Sequence, residues 1–359
     1  MKIIVSAGGT GGHIYPALAI IEKFKQKEKD LEVLYIGTHN RMEKDIVPER
    51  KIKYESLEIY GFSKTDIKRD IKNIFLIKKA YKKCLKIMQE FKPDVVIGVG
   101  GYVTYPVIKA ANKLNIKTII HEQNSIPGKS NIALSKKVDL VCTSFEASNK
   151  YFKGAKKIKY TGNPCGEAAL KAKEITKKSL GLNKDKQLVL IVAGSLGSKT
   201  LNDSFKEYLK KVSKENYEVL YITGNKHYDE FIRGEKFPSN VKVLPYLDNL
   251  VGIMKNTDLI ITRAGASTMS EILTLNLPAI FIPSPYVANN HQYYNALEIK
   301  NKKAALMIEE KDLNTEILLK EVNELLNNQE KYNEIKKNLK SLGMNNSSEI
   351  IYDAIKEIK

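Results

Sequence analysis

Ten short apolar runs alternate with longer stretches of helical period, and this alternation constrains the fold more than any other feature of the sequence. The first five are KIIVSA at 2–7, EVLYIG at 32–37, DVVIGVG at 94–100, TIIH at 118–121 and LVCTS at 140–144. A second series follows the Lys-rich stretch 150–166: QLVLIVAG at 187–194, EVLYITG at 218–224, VKVLPY at 241–246, DLIITRAG at 258–265 and PAIFIP at 278–283. Near-continuous β-branched strands separated by helices imply parallel sheets covered on both faces. A chain of 359 residues is too long for one comfortable core. The expected class is therefore α/β, with two Rossmann-like domains whose parallel sheets face each other across a cleft that serves as the default ligand site. The expected divisions are 1–163, 164–342 and 343–359. The segment from Leu313 to Lys359 is helical in pattern and expected to fold back across the first half, with 343–359 as the C-terminal helix that packs on the N-terminal domain.

Charge separates the two halves. The chain carries a formal +18, and residues 1–160 hold 31 basic against 16 acidic side chains, which is most of the excess. The first half should seek an anionic partner, whether nucleic acid, a phosphorylated ligand or an acidic membrane surface. No helix-turn-helix, RRM or zinc-finger pattern supports nucleic acid. Three widely spaced cysteines, Cys84, Cys142 and Cys165, argue against a disulfide framework or zinc site and point to a reducing compartment. The first strand has no basic n-region or cleavage pattern, so no signal peptide is expected. Residues 272–290 lack charge, but Pro278, Pro283 and Pro285 speak against a membrane-spanning helix. Any membrane contact is expected at the surface.

Three strands end in glycine turns: AGGTGGH at 7–13, GVGGY at 98–102 and AGSLGS at 193–198. Such a turn opening a helix offers unpaired N–H groups and the positive dipole end, hence an anion site. None fits the dinucleotide fingerprint, since Ile14 and Val103 stand where a third glycine would be needed, and no Walker A Lys-Ser/Thr pair follows. One such turn is as readily plain strand-to-helix geometry; three favour a phosphate-bearing ligand.

Around the other strand ends, Glu271 in RAGASTMSE either accepts ribose hydroxyls or complements a helix N-terminus. His291 and Gln292 follow the polar loop PSPYVANN and either read sugar hydroxyls or order the loop. His13 closes the first glycine loop and HEQN at 121–124 ends a strand; a histidine or carboxylate there can take a proton from an acceptor hydroxyl, or simply cap the strand. No D-x-D pair occurs, so no metal or other cofactor is expected, and leaving-group charge falls to backbone N–H groups and a helix dipole. The stretch 64–92 holds ten basic and three acidic residues. Ile74, Phe75, Leu76 and Ile77 with Lys78, Lys79 and Lys82 mark it as an interfacial helix on an anionic bilayer, at about 1 kcal/mol per basic residue, or as an ordinary solvated helix.

As a set, AGGTGGHIYPALAI, GVGGYVTYP, HEQNSIPGKSN, TGNP, AGSLGS, RAGASTMSEI and NNHQYYNA closely resemble the MurG family, the bacterial N-acetylglucosaminyltransferases of peptidoglycan synthesis (glycosyltransferase family 28). The resemblance runs from the first strand to at least Ala296. It implies a GT-B fold and inverting transfer of N-acetylglucosamine from UDP-GlcNAc to the C4 hydroxyl of the muramic acid unit of lipid I, giving lipid II. It also implies a peripheral position at the cytoplasmic face of the membrane and contacts with other cell-wall synthesis proteins. The N-terminal domain would take the lipid diphosphate acceptor and the C-terminal domain the UDP-sugar.

Position by position, the resemblance implies donor contacts for Thr10, Gly11, Gly12 and Asn124. Ser195 would hold the diphosphate, Leu247 would frame the uracil, and Ala266, Ser267, Thr268 and Glu271 would form the nucleotide turn with Glu271 on the ribose. Gln292 would contact the N-acetylglucosamine. Gly9, Gly100, Gly101 and Tyr102 fall to the acceptor diphosphate, and His13 and Glu122 are rival bases. Closure about residues 160–166 would align the substrates and exclude water. Two departures stand out. Cys165 and Gly166 follow TGNP where many relatives carry an arginine near the diphosphate, a charge-assisted contact of roughly 1.5 to 3 kcal/mol that a nearby lysine would have to replace. The third loop reads AGSLGS rather than GGSQGA. A diacylglycerol glycosyltransferase and a non-catalytic protein that binds a UDP-sugar or an anionic membrane are the alternative readings.

Overall fold

The computed structural model describes residues 1–63, 65–193 and 198–358. The chain forms two units, Met1–Cys165 with Asn346–Lys359, and Gly166–Asn345. Within the first, β1 (Lys2–Ala7), β2 (Glu32–Thr38), β3 (Lys53–Leu57), β4 (Val95–Gly100), β5 (Lys117–Glu122), β6 (Leu140–Thr143) and β7 (Ile158–Tyr160) make one sheet in the order 3-2-1-4-5-6-7. Every pairing in it is parallel. In the second, β8 (Gln187–Val192), β9 (Tyr217–Ile222), β10 (Val241–Leu244), β11 (Leu259–Thr262), β12 (Ala279–Phe281) and β13 (Leu306–Met307) run in the order 10-9-8-11-12-13, again all parallel.

In each sheet the strand order reverses once, between β1 and β4 and between β8 and β11. The loops leaving those four strands are where an open parallel sheet presents a ligand crevice. Three are the glycine turns picked out from the sequence, and the fourth is the RAGAS turn after β11.

Two apolar layers sandwich the first sheet. Ile3, Val5, Val95 and Ile97 face the helix Gly11–Lys27 through Ile14, Ile20, Ile21 and Phe24. Ile4, Ile36, Val96 and Ile120 face the other way, toward Cys84 and Met88 of the helix Ile67–Phe91 and toward Val107 and Ile108. Alternate residues of one strand thus enter opposite cores, and for this reason the strands read as unbroken apolar runs. The three cysteines are buried, and burial pushes the thiols of Cys84 and Cys142 up to about 12.

The helix Ser347–Ile358 completes the first core. Ile351, Ala354 and Ile355 are buried there, Tyr352 meets Phe24 edge-on at 5.0 Å, and Glu349 binds Lys23 and Lys27 at 3.0 and 2.5 Å. The helices Thr315–Asn327 and Gln329–Leu342 belong to the second unit. Their amphipathic faces bury Leu318, Val322, Leu325, Ile335 and Leu339.

Candidate functional site

The loops after β1 and β4 are built against each other. Gly101 has φ +86°, and a Cβ there would lie 2.3 Å from the carbonyl oxygen of Gly8. Gly100 has φ +111°, and a Cβ there would lie 2.5 Å from Nδ1 of His13. Close packing of two turns and one imidazole therefore accounts for both glycines. Gly101→Ala combines left-handed strain with a backbone clash, so we expect a loss of about 2 to 4 kcal/mol of unfolding free energy, read by urea denaturation of the purified variant.

Behind the first turn lies Glu43, wholly buried. Its carboxylate accepts from the N–H of Gly9 at 3.2 Å, the N–H of Thr38 at 3.1 Å and the hydroxyl of Thr38 at 2.6 Å. The Gly9 amide is therefore engaged by a buried carboxylate. Sequence reasoning missed Glu43, because a lone acid after a strand carries no motif. Tyr102 stands beside Gly9 and Gly61. Thr10 is the N-cap of the helix Gly11–Lys27 but makes no side-chain cap bond. The first-turn amides of Gly11 and Gly12 belong to the group that a helix leaves without internal partners.

His13 follows in the same turn, with Nδ1 2.9 Å from Oε1 of Gln123. The rival, Glu122, is 1% exposed. Its Oε1 accepts from the N–H and side-chain amide of Asn124 at 3.0 and 3.3 Å, and its Oε2 from the N–H of Gly128 and the side chain of Asn131 at 3.0 and 2.8 Å. Four donors reach the carboxylate, so Glu122 clamps the 124–131 segment. Asn124 is held by that clamp.

In the second unit, Gly265 caps the helix Ala266–Thr274 without a side-chain bond, and a Cβ on Gly265 would meet open space. Ala266, Ser267 and Thr268 form the first turn, and the Ser267 hydroxyl is buried with no hydrogen-bond partner among the described residues. One turn on, burial pushes the Glu271 carboxyl up to about 7. Asn295 donates to the carbonyl of Ala264 at 3.3 Å, tying the helix His291–Asn301 to this turn. Gln292 on the same helix accepts from the N–H of Ser284 at 2.9 Å, so its oxygen is spent on the loop after β12. His291 turns back to the Ala288 carbonyl at 2.8 Å. Leu247 is half-buried just beyond β10. Ser195 lies outside the described residues.

The helix Ile67–Phe91 corrects the interfacial stripe. Leu76 and Ile77 pack on the core. The exposed apolar face is Ile67, Ile71, Ile74 and Phe75, with Phe62 from the preceding loop. Lys78, Lys79 and Lys82 flank it, all exposed. Buried Asn73 pins the loop by bonding the N–H and C=O of Tyr60 at 2.8 and 2.6 Å. Among the described residues, no helix is long and apolar enough to cross a membrane, and no group of three or more His, Cys, Asp or Glu is placed to hold a metal ion.

With this geometry in hand, comparison with known proteins is decisive. Family models described as the glycosyltransferase family 28 N-terminal and C-terminal domains match residues 3–143 and 188–357. The chain belongs to glycosyltransferase family 28. It is 42% identical over 362 residues, covering 100% of this chain and 99% of the relative, to a UDP-N-acetylglucosamine--N-acetylmuramyl-(pentapeptide) pyrophosphoryl-undecaprenol N-acetylglucosamine transferase of Bacillus cytotoxicus. The like-named protein of Halalkalibacterium halodurans is 41% identical with the same coverage. The crystal structure of Acinetobacter baumannii MurG superimposes with a TM-score of 0.81 at 28% identity, over 99% of each chain. The two parallel sheets are thus those of a family 28 glycosyltransferase of GT-B class.

In this family 28 chain Gly166 is sterically confined, since a Cβ there would lie 2.3 Å from the Thr274 hydroxyl and 3.0 Å from the Ser270 carbonyl. Cys165 is buried. The guanidinium that the structure does place near a glycine turn is Arg263, at the end of β11. It pairs with Glu310 at 2.5 Å and donates to the Ser198 hydroxyl at 3.2 Å and the Ile282 carbonyl at 3.1 Å. Ser198 caps the helix Lys199–Lys211, so Arg263 braces the start of the helix that follows the third glycine turn. The motif RAGAS contains this arginine, but nothing in its spacing announces the partner Glu310.

Proposed function

We propose that this chain is an inverting glycosyltransferase that moves N-acetylglucosamine from UDP-GlcNAc to the C4 hydroxyl of the MurNAc unit of lipid I, forming lipid II. The observation that carries this reading is the full-length identity to transferases named for that reaction, at 42% and 41%. The acceptor oxygen attacks the anomeric carbon as the bond from that carbon to the UDP phosphate oxygen breaks, and the hydroxyl proton passes to Nε2 of His13. UDP departs with its charge received by backbone N–H groups and a helix dipole, so no metal is required.

The second unit takes the donor, with Glu271 accepting from the ribose hydroxyls and the Ser267 hydroxyl, Leu247 and Gln292 bordering the nucleotide sugar. The first unit takes the acceptor. Its apolar face of Phe62, Ile67, Ile71, Ile74 and Phe75, ringed by lysines, supports docking on an anionic bilayer. We place the protein at the cytoplasmic face on this ground together with the reaction.

Release of UDP from UDP-GlcNAc tests the reading directly, with a lipid I analogue in anionic or neutral vesicles, in EDTA. The expected result is release only with the analogue, undiminished by EDTA and faster on anionic vesicles. Release that needs added magnesium would overturn the metal-free step. Release with diacylglycerol and not the analogue would overturn the acceptor.

A further inference from the structure

We propose that Gln123 and His121 are a positioning pair that holds His13 as its Nδ1–H tautomer, leaving Nε2 bare toward the acceptor hydroxyl. The catalytic half of this inference rests on the transfer reaction proposed above. The hydrogen placement does not.

The argument starts at the Gly162 carbonyl, which can only accept. Nε2 of His121 lies 3.0 Å from it, so that nitrogen carries the hydrogen. His121 is wholly buried and burial pushes its pKa down to about 4, so at neutral pH the ring holds one hydrogen and its Nδ1 is bare. The side-chain nitrogen of Gln123 lies 2.9 Å from that Nδ1 and 2.8 Å from the Val99 carbonyl. Two acceptors on one side fix the orientation of the amide, because the reverse would set its oxygen against a carbonyl and a lone pair. The Gln123 oxygen must then face His13, whose Nδ1 stands 2.9 Å away. An amide oxygen only accepts, so His13 carries its hydrogen on Nδ1 and offers a lone pair at Nε2.

Each link is enforced by burial. Gln123 is 1% exposed, and an amide flipped there would leave hydrogens and lone pairs facing their own kind without water to relieve them. Gly100 leaves room for the ring, since a Cβ there would lie 2.5 Å from His13 Nδ1. The arrangement performs the orienting task of the third member of a catalytic triad with a neutral amide in place of a carboxylate. It also explains the glutamine of the HEQN segment, which sequence reasoning passed over in favour of its neighbours.

The test is a long-range 1H–15N correlation spectrum of the full chain labelled at histidine, at neutral pH without substrates, with His13→Asn to assign the His13 signals. A protonated Nδ1 and bare Nε2 at His13 are expected; a predominant Nε2–H form would overturn the inference. Gln123→Met keeps the volume and removes the bonds to His13, His121 and Val99. It is expected to mix the tautomers and lower kcat about ten- to hundredfold with KM for UDP-GlcNAc changed less than about twofold. An unchanged kcat would overturn the positioning role. Should that variant not fold, the wild-type spectrum decides alone, since it reads the His13 tautomer in the unaltered chain. Because the spectrum needs no acceptor, the expected tautomer in a protein without transfer would overturn the proposed activity and leave the relay standing.

Discussion

His13→Ala is expected to lower the turnover of N-acetylglucosamine transfer by about 10²- to 10⁴-fold, the usual worth of a positioned general base. The affinity for UDP-GlcNAc should change little, because the role proposed for the ring is to take the acceptor proton and not to hold the donor. The alternatives nearby are already spent. Glu122 accepts four hydrogen bonds from its own loop, and His121 donates to Gly162 and accepts from Gln123. Glu122→Ala should therefore announce itself differently, as a loss of folding stability from leaving buried donors unpaired, roughly 1 to 3 kcal/mol for each such group. Steady-state kinetics at saturating donor, alongside thermal melts of both variants, separates the two roles. A His13→Ala enzyme within threefold of wild type would remove His13 from the reaction.

Glu271→Gln is expected to weaken UDP-GlcNAc binding while making the protein more stable, and the two effects share one cause. Burial lifts this carboxyl from about 4.5 to about 7. The folded state thus disfavours the charge that the ribose hydroxyls require. Since the folded pKa lies above the unfolded one, stability is undiminished below about pH 4.5, falls as pH rises toward 7, and is level above that. The full difference corresponds to about 3 kcal/mol before the partial exposure of the residue reduces it. Glutamine escapes this penalty but offers one acceptor oxygen without charge, so donor affinity should fall by about 1.5 to 3 kcal/mol. Calorimetric titration of UDP-GlcNAc and melts at pH 4.5 and pH 8 check both halves. In wild type, donor affinity should weaken as pH drops through about 7. A variant that binds as tightly as wild type would take Glu271 off the ribose.

The strands legible in the sequence are the ten apolar runs, all but β10 with a neighbour on each side. Strands such as β1, β4, β8 and β11 are covered on both faces and so are mostly apolar along their length, which is a signal visible without neighbours. The strands that were not are β3, β7 and β13, all at sheet edges: KYESL and IKY alternate or expose their polar residues, and β13 has only two residues. Edge pairing is decided by the strand alongside, not by local composition. The same division holds for the site. Glycine turns advertise themselves because their backbone needs no side chain. The side chains that hold the turns in place, Glu43, Gln123 and the pair Arg263 and Glu310, come from distant segments. Position 43 and position 9 meet only after β1 and β2 have paired. The helix Ile67–Phe91 shows the limit from the other direction: its apolar residues were all visible, but which of them face the sheet depends on a helical phase that only the burial of its Cys84 and Met88 reveals.

The return of the helix Ser347–Ile358 to the first unit sets the order of events during synthesis. Ile20, Ile21 and Phe24 leave the ribosome early, yet the surface that covers them, Ile351, Ala354 and Ile355, is made more than three hundred residues later. Throughout that interval the nascent first unit carries an open apolar groove along its N-terminal helix, while the second unit can close its own core without waiting. Chaperone protection is therefore needed longest by the segment translated first, and a ribosome stalled anywhere before residue 347 releases a first unit that lacks part of its core.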